Sequence, residues 1–287
     1  MNKLKGCSSP VLWIFSGKPM EAGLHSVFRH VLNMVIQGQM ISFISADIPW
    51  SPLSVRAEGI IDFEKLGINE GNKGEWQVVV QPEKICIGKY EFRKIPDFEV
   101  FDANIPSIDT DSLLMIREAA GQVIGANKDR GFARAVYSDS SDMDLIAKDL
   151  KAGYLNIKEA LKFRDAGRLK KACASLLGAG PGLTPSGDDF LCGMLQMLWA
   201  LGADAHGLKA RNIIAEAIEE KLYQTCDISK AYLMQSLRGY AGELTQEMLS
   251  AANEQECREC MIRMSQIGHS SGVDMLCGVW TILDAMV

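Results

Sequence analysis

Two carboxylates stand side by side at Asp188 and Asp189, directly after Gly178-Ala179-Gly180-Pro181-Gly182-Leu183-Thr184-Pro185-Ser186-Gly187. In Gly180-Pro181-Gly182 the proline presets its own backbone angle and glycine permits positive φ, so the chain can turn sharply with amides left exposed. Such amides can hold an anion. Part of the pattern returns later: Ser186-Gly187-Asp188-Asp189-Phe190-Leu191-Cys192-Gly193 is echoed by Ser271-Gly272-Val273-Asp274-Met275-Leu276-Cys277-Gly278. Both segments lead into helices that are apolar on every side, 190–198 and 275–283, which places them inside a domain.

A plain reading is available for both copies. Ser186 three before Asp189, and Ser271 three before Asp274, each spell a capping box that satisfies the first free amides of a helix. Capping leaves Thr184, Asp188 and the Gly-Pro-Gly turn of the first copy without a role. If the two helix N-termini converge, their dipole ends and amides favour a carboxylate or phosphate. The three aspartates would repel that anion unless they point elsewhere, bind a cation, or accept hydrogen bonds from ligand N–H groups. A small molecule with both a carboxylate and an amide or ureido group meets these demands. The loop is not a phosphate-binding P-loop, because no Gly-Lys-Ser/Thr ends it, and no strand precedes it as a dinucleotide site requires.

Asp188, Asp189 and His269 are therefore the catalytic candidates. Gly180, Gly182, Thr184, Ser186, Ser271, Gly272 and Asp274 are the binding candidates around them. Arg29 is the cation brought to the site, since a guanidinium grips a carboxylate or phosphate in bidentate fashion. Thr225 and Ser229, one helical turn apart, present two hydroxyls to one face, although Thr225 also fits an N-cap. No set of metal ligands is assigned, and Mg²⁺ held by the aspartates is the one cofactor considered. Cys257 and Cys260 have a zinc-type spacing, but no second pair accompanies them and both fall on a helical pattern. No serine-hydrolase triad can be assembled from spacing.

The elements that must position these residues fall into two parts. Residues 40–44, 77–80 and 84–92 read as strands of a small antiparallel sheet or barrel, preceded by a short helix over 25–35 with Val27, Phe28, Val31, Leu32 and Val35 on its apolar face. Helices are expected over about 111–126, 143–177, 188–201, 208–224, 227–238, 243–252, 254–267 and 272–286. The expectation is an α+β protein with a β-rich domain over 1–105 and a mainly helical domain over 106–287.

The 287 residues are 47% hydrophobic and 23% charged, as in globular proteins with a substantial core. A net charge of −6 without a basic cluster argues against nucleic acid. The apolar run Val11–Phe15 is shorter than a signal-peptide core or a membrane span. A cytoplasmic location with no membrane partner is expected, and the scattered cysteines read as reduced, buried thiols.

The run 178–189, with Ile267-Gly268-His269-Ser270-Ser271 and the residues to Gly278, resembles a bacterial family long known only as a domain of unknown function. Its best-known member is the AllH-type subunit of oxamate carbamoyltransferase. Val27-Phe28-Arg29 with Asn33, and Thr225, Ser229, Tyr232, Leu233 and Gly239, extend the likeness over most of the chain. The resemblance implies a part in anaerobic allantoin catabolism, where a complex of three different subunits converts oxalurate and phosphate into oxamate and carbamoyl phosphate. It also implies hetero-oligomeric partners and leaves room for other small ureido or carbamoyl substrates. Two rival readings remain: a non-catalytic structural or regulatory subunit, and a metal-dependent hydrolase of amide or glycosidic bonds suggested by the paired aspartates.

Overall fold

The computed structural model describes residues 2–138, 143–202 and 205–286. The chain divides into two compact units, Met1–Ala103 and Asn104–Val287, each built around its own cluster of buried apolar side chains.

The first unit is a closed barrel. Its strands are β1 (Asn2–Ser8), β2 (Met20–Val27), β3 (Val31–Ile36), β4 (Gln39–Ile44), β5 (Ser54–Ala57), β6 (Val78–Gln81), β7 (Lys84–Ile87) and β8 (Tyr90–Phe101), in the order β1-β5-β4-β3-β2-β6-β7-β8. The period of two drives it. Leu32, Met34 and Ile36 of β3, Val78 and Val80 of β6, and Ile85 and Ile87 of β7 all point inward and are buried. Phe43 fills the middle, edge-on to Phe63 and Phe92 at centroid distances of 5.6 and 4.8 Å. A barrel of this size is filled by side chains, so it is a packed core and not a channel. Two of its pairings, β1 with β8 and β4 with β5, are parallel. The first joins the two ends of the unit and the second two consecutive strands across residues 45–53, so the expected small sheet or barrel is a barrel and is not antiparallel throughout.

The helix expected over 25–35 is two strands, β2 and β3. Its apolar positions meet helical spacing only because a turn at 28–30 shifts the alternation between one strand and the next. β3 then passes into β4 through Gln37 and Gly38, both at positive φ (+50° and +77°), the backbone of a tight hairpin. The strand pairing Val31 to Ile44 through Ile36 to Gln39 satisfies backbone groups that a helix would have satisfied internally, and buries the apolar side chains besides.

The second unit is helical: α1 (Thr110–Ala126), α2 (Gly131–Tyr137), α3 (Leu145–Phe163), α4 (Ala166–Leu176), α5 (Ser186–Ala200), α6 (Ala205–Lys221), α7 (Asp227–Leu237), α8 (Glu243–Leu249), α9 (Glu254–Ser265) and α10 (Ser271–Met286). The single helix expected over 143–177 is broken in two. Arg164 adopts φ +57° and ends α3, while the Asp165 carboxylate accepts from Arg168 N–H and caps α4. α2 was not anticipated at all. None of the described helices is long and apolar enough to cross a membrane.

α5 and α10 form the centre, buried along almost their whole lengths. They cross at glycines. A Cβ on Gly193 would lie 2.0 Å from Met275 O, and one on Gly278 would lie 2.0 Å from Phe190 O. The backbones therefore touch, and the reciprocal contact locks the two repeats in register. The one polar side chain in the middle of α5, Gln196, is satisfied by Ser236 and Thr245 at 3.1 Å each.

Candidate functional site

The register set by Gly193 and Gly278 brings the two motifs together at the N-terminal ends of α5 and α10. Thr184 Oγ1 and Ser271 Oγ lie 2.8 Å apart. Gly187 and Gly272, the second residues of the two helices, press against the last turn of the preceding helix: a Cβ would meet Leu176 O at 2.0 Å in one and Met264 O at 1.7 Å in the other. Helix, loop and helix are thus repeated with the same close contact, and the loops face a common space.

That space is a cleft of about 580 Å³. Pro181, Gly182, Thr184 and Ser186 line it from the first loop, and Gly268, His269, Ser270 and Ser271 from the second. Gly180 and Gly182 sit at φ +124° and +104°, a region open to glycine and strained for other residues. Asp129, Arg134 of α2 and Asp144 at the start of α3 also line the cleft, with Ile146, Ala147 and Leu150 of α3, and Arg134 and Asp144 form an ion pair at 3.0 Å. Leu183, on the rim, is exposed.

The capping-box reading is corrected by the geometry. The N-cap of α5 is Pro185, which has no side chain to accept a bond. The serines are exchanged: Ser186 serves Asp274 on the other helix, and Ser271 lies against Asp189. The crossing brings each first-turn aspartate within reach of the other helix's serine.

The three aspartates have distinct surroundings. Asp274 Oδ1 accepts from Phe132 N–H at 2.5 Å and Oδ2 from Ser270 Oγ at 2.9 Å, so this carboxylate caps the N-terminus of α2, whose own N-cap Arg130 contributes no side-chain bond. Phe132 in turn stacks on Phe190 of α5, centroids 3.9 Å apart. Burial pushes Asp274 up to about 6, against the pull of the Phe132 N–H, Ser186, Ser270 and Arg130. Asp188 turns the other way, accepting from Gly178 N–H at 2.9 Å and from the Thr225 hydroxyl. Burial raises it as well, opposed by these two donors and by Ser229.

Asp189 is the acid that the fold leaves unsatisfied. It is 7% exposed, and its Oδ2 has no hydrogen-bond partner. Burial pushes it up to about 8, Asp274 and Asp188 adding to the rise while the nearby Thr184 and Ser271 hydroxyls act against it. Those hydroxyls also bond to each other, and Oδ2 of the carboxyl behind them stays bare.

The remaining candidates are placed as follows. Thr225 is buried on Asp188 and does not cap α7; the cap is Cys226, whose Sγ accepts from Ser229 N–H and donates to Leu183 O at 2.8 Å. Ser229 is buried with its hydroxyl lacking a well-formed bond. His269 is exposed and lines the cleft, its carbonyl accepting from the Arg130 guanidinium. Arg29 belongs to the barrel unit, where it pairs with Asp62 at 2.9 Å. The cations beside the described cluster are Arg130 and Arg134, which sequence reasoning missed. They ride on α2, a short element without a distinctive motif, and only the unusual pairing of Gly131 with a following apolar run hinted at it. Cys257 and Cys260 are buried thiols on α9, Cys260 contacting Leu244 O at 3.0 Å.

A cation finds little here. The oxygens of Asp188 and Asp274 are taken up by protein donors, and among the described residues no group of three or more His, Cys, Asp or Glu side chains is arranged to hold a metal ion. What the arrangement offers is a cleft with two helix N-termini, several hydroxyls, the Arg134–Asp144 ion pair and Asp129 on its wall, and behind the hydroxyls an acid with a bare oxygen, a setting for a small oxyanion at the helix ends.

Comparison with solved structures finds no match. Two family models do match: residues 3–95 fit the AllH family N-terminal domain, and residues 176–283 fit the family described as oxamate carbamoyltransferase subunit AllH. The second match covers both loops and the two crossing helices, and the first covers most of the barrel, so the chain belongs to the AllH family.

Proposed function

We propose that the chain is a subunit of an oxamate carbamoyltransferase that carries the binding cleft for the small substrate, oxalurate or a related ureido or carbamoyl compound. The family supports the subunit, and the meeting of Thr184 with Ser271 over one cleft is the observation that carries the reading. In the reaction, a phosphate oxygen attacks the carbamoyl carbon of oxalurate, the C–N bond to the oxamate nitrogen breaks, and that nitrogen takes the proton that phosphate gives up. Loop amides at Gly182 and Gly268 and the hydroxyls of Thr184, Ser186 and Ser271 hold the anionic end. Arg134 faces the developing charge, with His269 within the same wall. Rate enhancement then comes from orientation and charge stabilisation, with no covalent intermediate. Allantoin catabolism, the companion subunits and a cytoplasmic setting belong to this proposal.

The test is a thermal-shift series with oxamate, oxalurate, phosphate and carbamoyl phosphate, followed by Thr184→Ala in the assembled enzyme. The expected outcome is stabilisation by at least one of the four and loss of turnover in a variant whose complex still forms. Loss of assembly together with activity would instead support a structural subunit. For the metal-dependent hydrolase reading, no group of three or more ligand side chains is found among the described residues.

A further inference from the structure

Three carboxylates beside an oxyanion cleft pose an electrostatic problem, and protein donors resolve it for two of them. Asp274 is committed to the α2 N-terminus and Ser270, and Asp188 to Gly178 and Thr225. Asp189 is more than nine-tenths buried with Oδ2 unpartnered. It stands directly behind Thr184 and Ser271, both of which line the cleft. A charged carboxylate in that place would be stabilised only by the Thr184 and Ser271 hydroxyls, with Oδ2 bare and two like charges nearby, whereas a neutral carboxyl with its proton on Oδ2 carries an O–H in want of an acceptor.

We propose that Asp189 donates a hydrogen bond to an oxygen of the ligand's anionic end, displacing the Thr184–Ser271 hydroxyl contact, and does not accept ligand N–H groups. The proposal rests on the cleft being the oxyanion site and assigns its chemistry: the ligand's oxygen, not its nitrogen, lies over Asp189. The ligand class is a carboxylate or a tetrahedral oxyanion. Burial supports the donor role, because it pushes the carboxyl up to about 8 and keeps the proton in place at neutral pH. The groups that face it are Asp188 and Cys192 on its own helix and Asp274 on α10. Arg130, the N-cap of α2, acts on Asp274, and Asp129, Arg134, Asp144 and His269 stand on the cleft wall.

The experiment is isothermal titration of the full chain with oxamate and, separately, with sulfate, an oxyanion that does not titrate between about pH 6.5 and 9.5. Wild type, Asp189→Asn, Asp189→Ala and a His269→Gln control are compared at both pH values, with folding checked by circular dichroism. Wild type and His269→Gln are expected to bind about 30-fold more weakly at the higher pH, the factor by which the neutral fraction of an acid titrating near 8 shrinks. Asp189→Asn, which donates without ionising, should bind within about threefold of wild type at pH 6.5 and stay flat, since a retained donor preserves the bond. Asp189→Ala should bind weakly at both. Equal wild-type affinity at the two pH values overturns the proposal, as does an Asn variant that is folded and as weak as Ala. Should the Asn variant not fold, the wild-type and His269→Gln series decides alone. If sulfate follows the pattern and oxamate does not bind, the donor stands and the substrate reading fails. If oxamate binds independently of pH, the reverse holds, and failure of both anions to bind overturns both.

Discussion

A carboxyl buried among other carboxyls gives up its proton late, and this governs how the protein should respond to pH. The folded-state values of Asp274 and Asp189, about 6 and about 8, stand above the ordinary 3.8. The native state therefore binds more protons than the unfolded chain between about pH 4 and pH 8, and stability from these two groups is full below pH 4 and lost as pH rises through their folded values. Urea unfolding between pH 5 and 9 should show this decline. Asp189→Asn should flatten its upper part. Because a tenfold change in an equilibrium constant corresponds to about 1.4 kcal/mol, that variant should be more stable than wild type at pH 8.5 by about 1–3 kcal/mol. An Asn variant that is less stable at that pH would contradict the assignment. Asp274→Ala should behave oppositely at pH 7, losing about 2–3 kcal/mol, because Phe132 N–H is left buried without an acceptor.

The helices α5 and α10 derive their placement from small residues. Gly193→Ala and Gly278→Ala would each drive a methyl to 2.0 Å from a backbone carbonyl, where neither partner can yield without separating the helices. A loss of about 3 kcal/mol or more in chemical denaturation is expected for each, beyond the usual range for point changes. Gly182→Ala is the informative contrast. No atom lies within 4 Å of its Cβ position, so only the positive φ of +104° opposes it, and a loss of about 1–2 kcal/mol is expected. At this scale much was legible. The apolar period and the bounding Gly, Ser and Asn residues announced α5, α9 and α10 within a few residues of their observed bounds. The span 25–35 was not legible, because a turn between two strands can imitate the spacing of a helical face. Nor was α2, whose N-terminus is capped by Asp274 from a distant part of the chain.

On the scale of the molecule, two separate clusters of buried apolar residues mark two units. A barrel closed on itself satisfies its strand edges internally, so the fragment 1–103 should express as a folded β protein with a cooperative thermal transition. A disordered fragment would show that the barrel depends on the helical unit. The parallel pairing of β1 with β8, which joins the two ends of the unit, makes this a demanding test, since it must form without a local turn to align it.

By itself the sequence determined what is local: glycine and proline shape the loop, an unbroken apolar surface sinks α5 and α10 into the interior, and the repeated Ser-Gly-x-Asp pattern marks two like helix beginnings. The tertiary structure decided which acid bonds to what. Asp274 finds its donor 142 residues away, at Phe132, and Thr184 meets Ser271 across 87. Partners so distant leave no trace in spacing, because burial and hydrogen-bond satisfaction are settled only when the helices cross, and that crossing gives three similar aspartates three roles: a helix cap at Asp274, a loop anchor at Asp188 and an acid with a bare oxygen at Asp189.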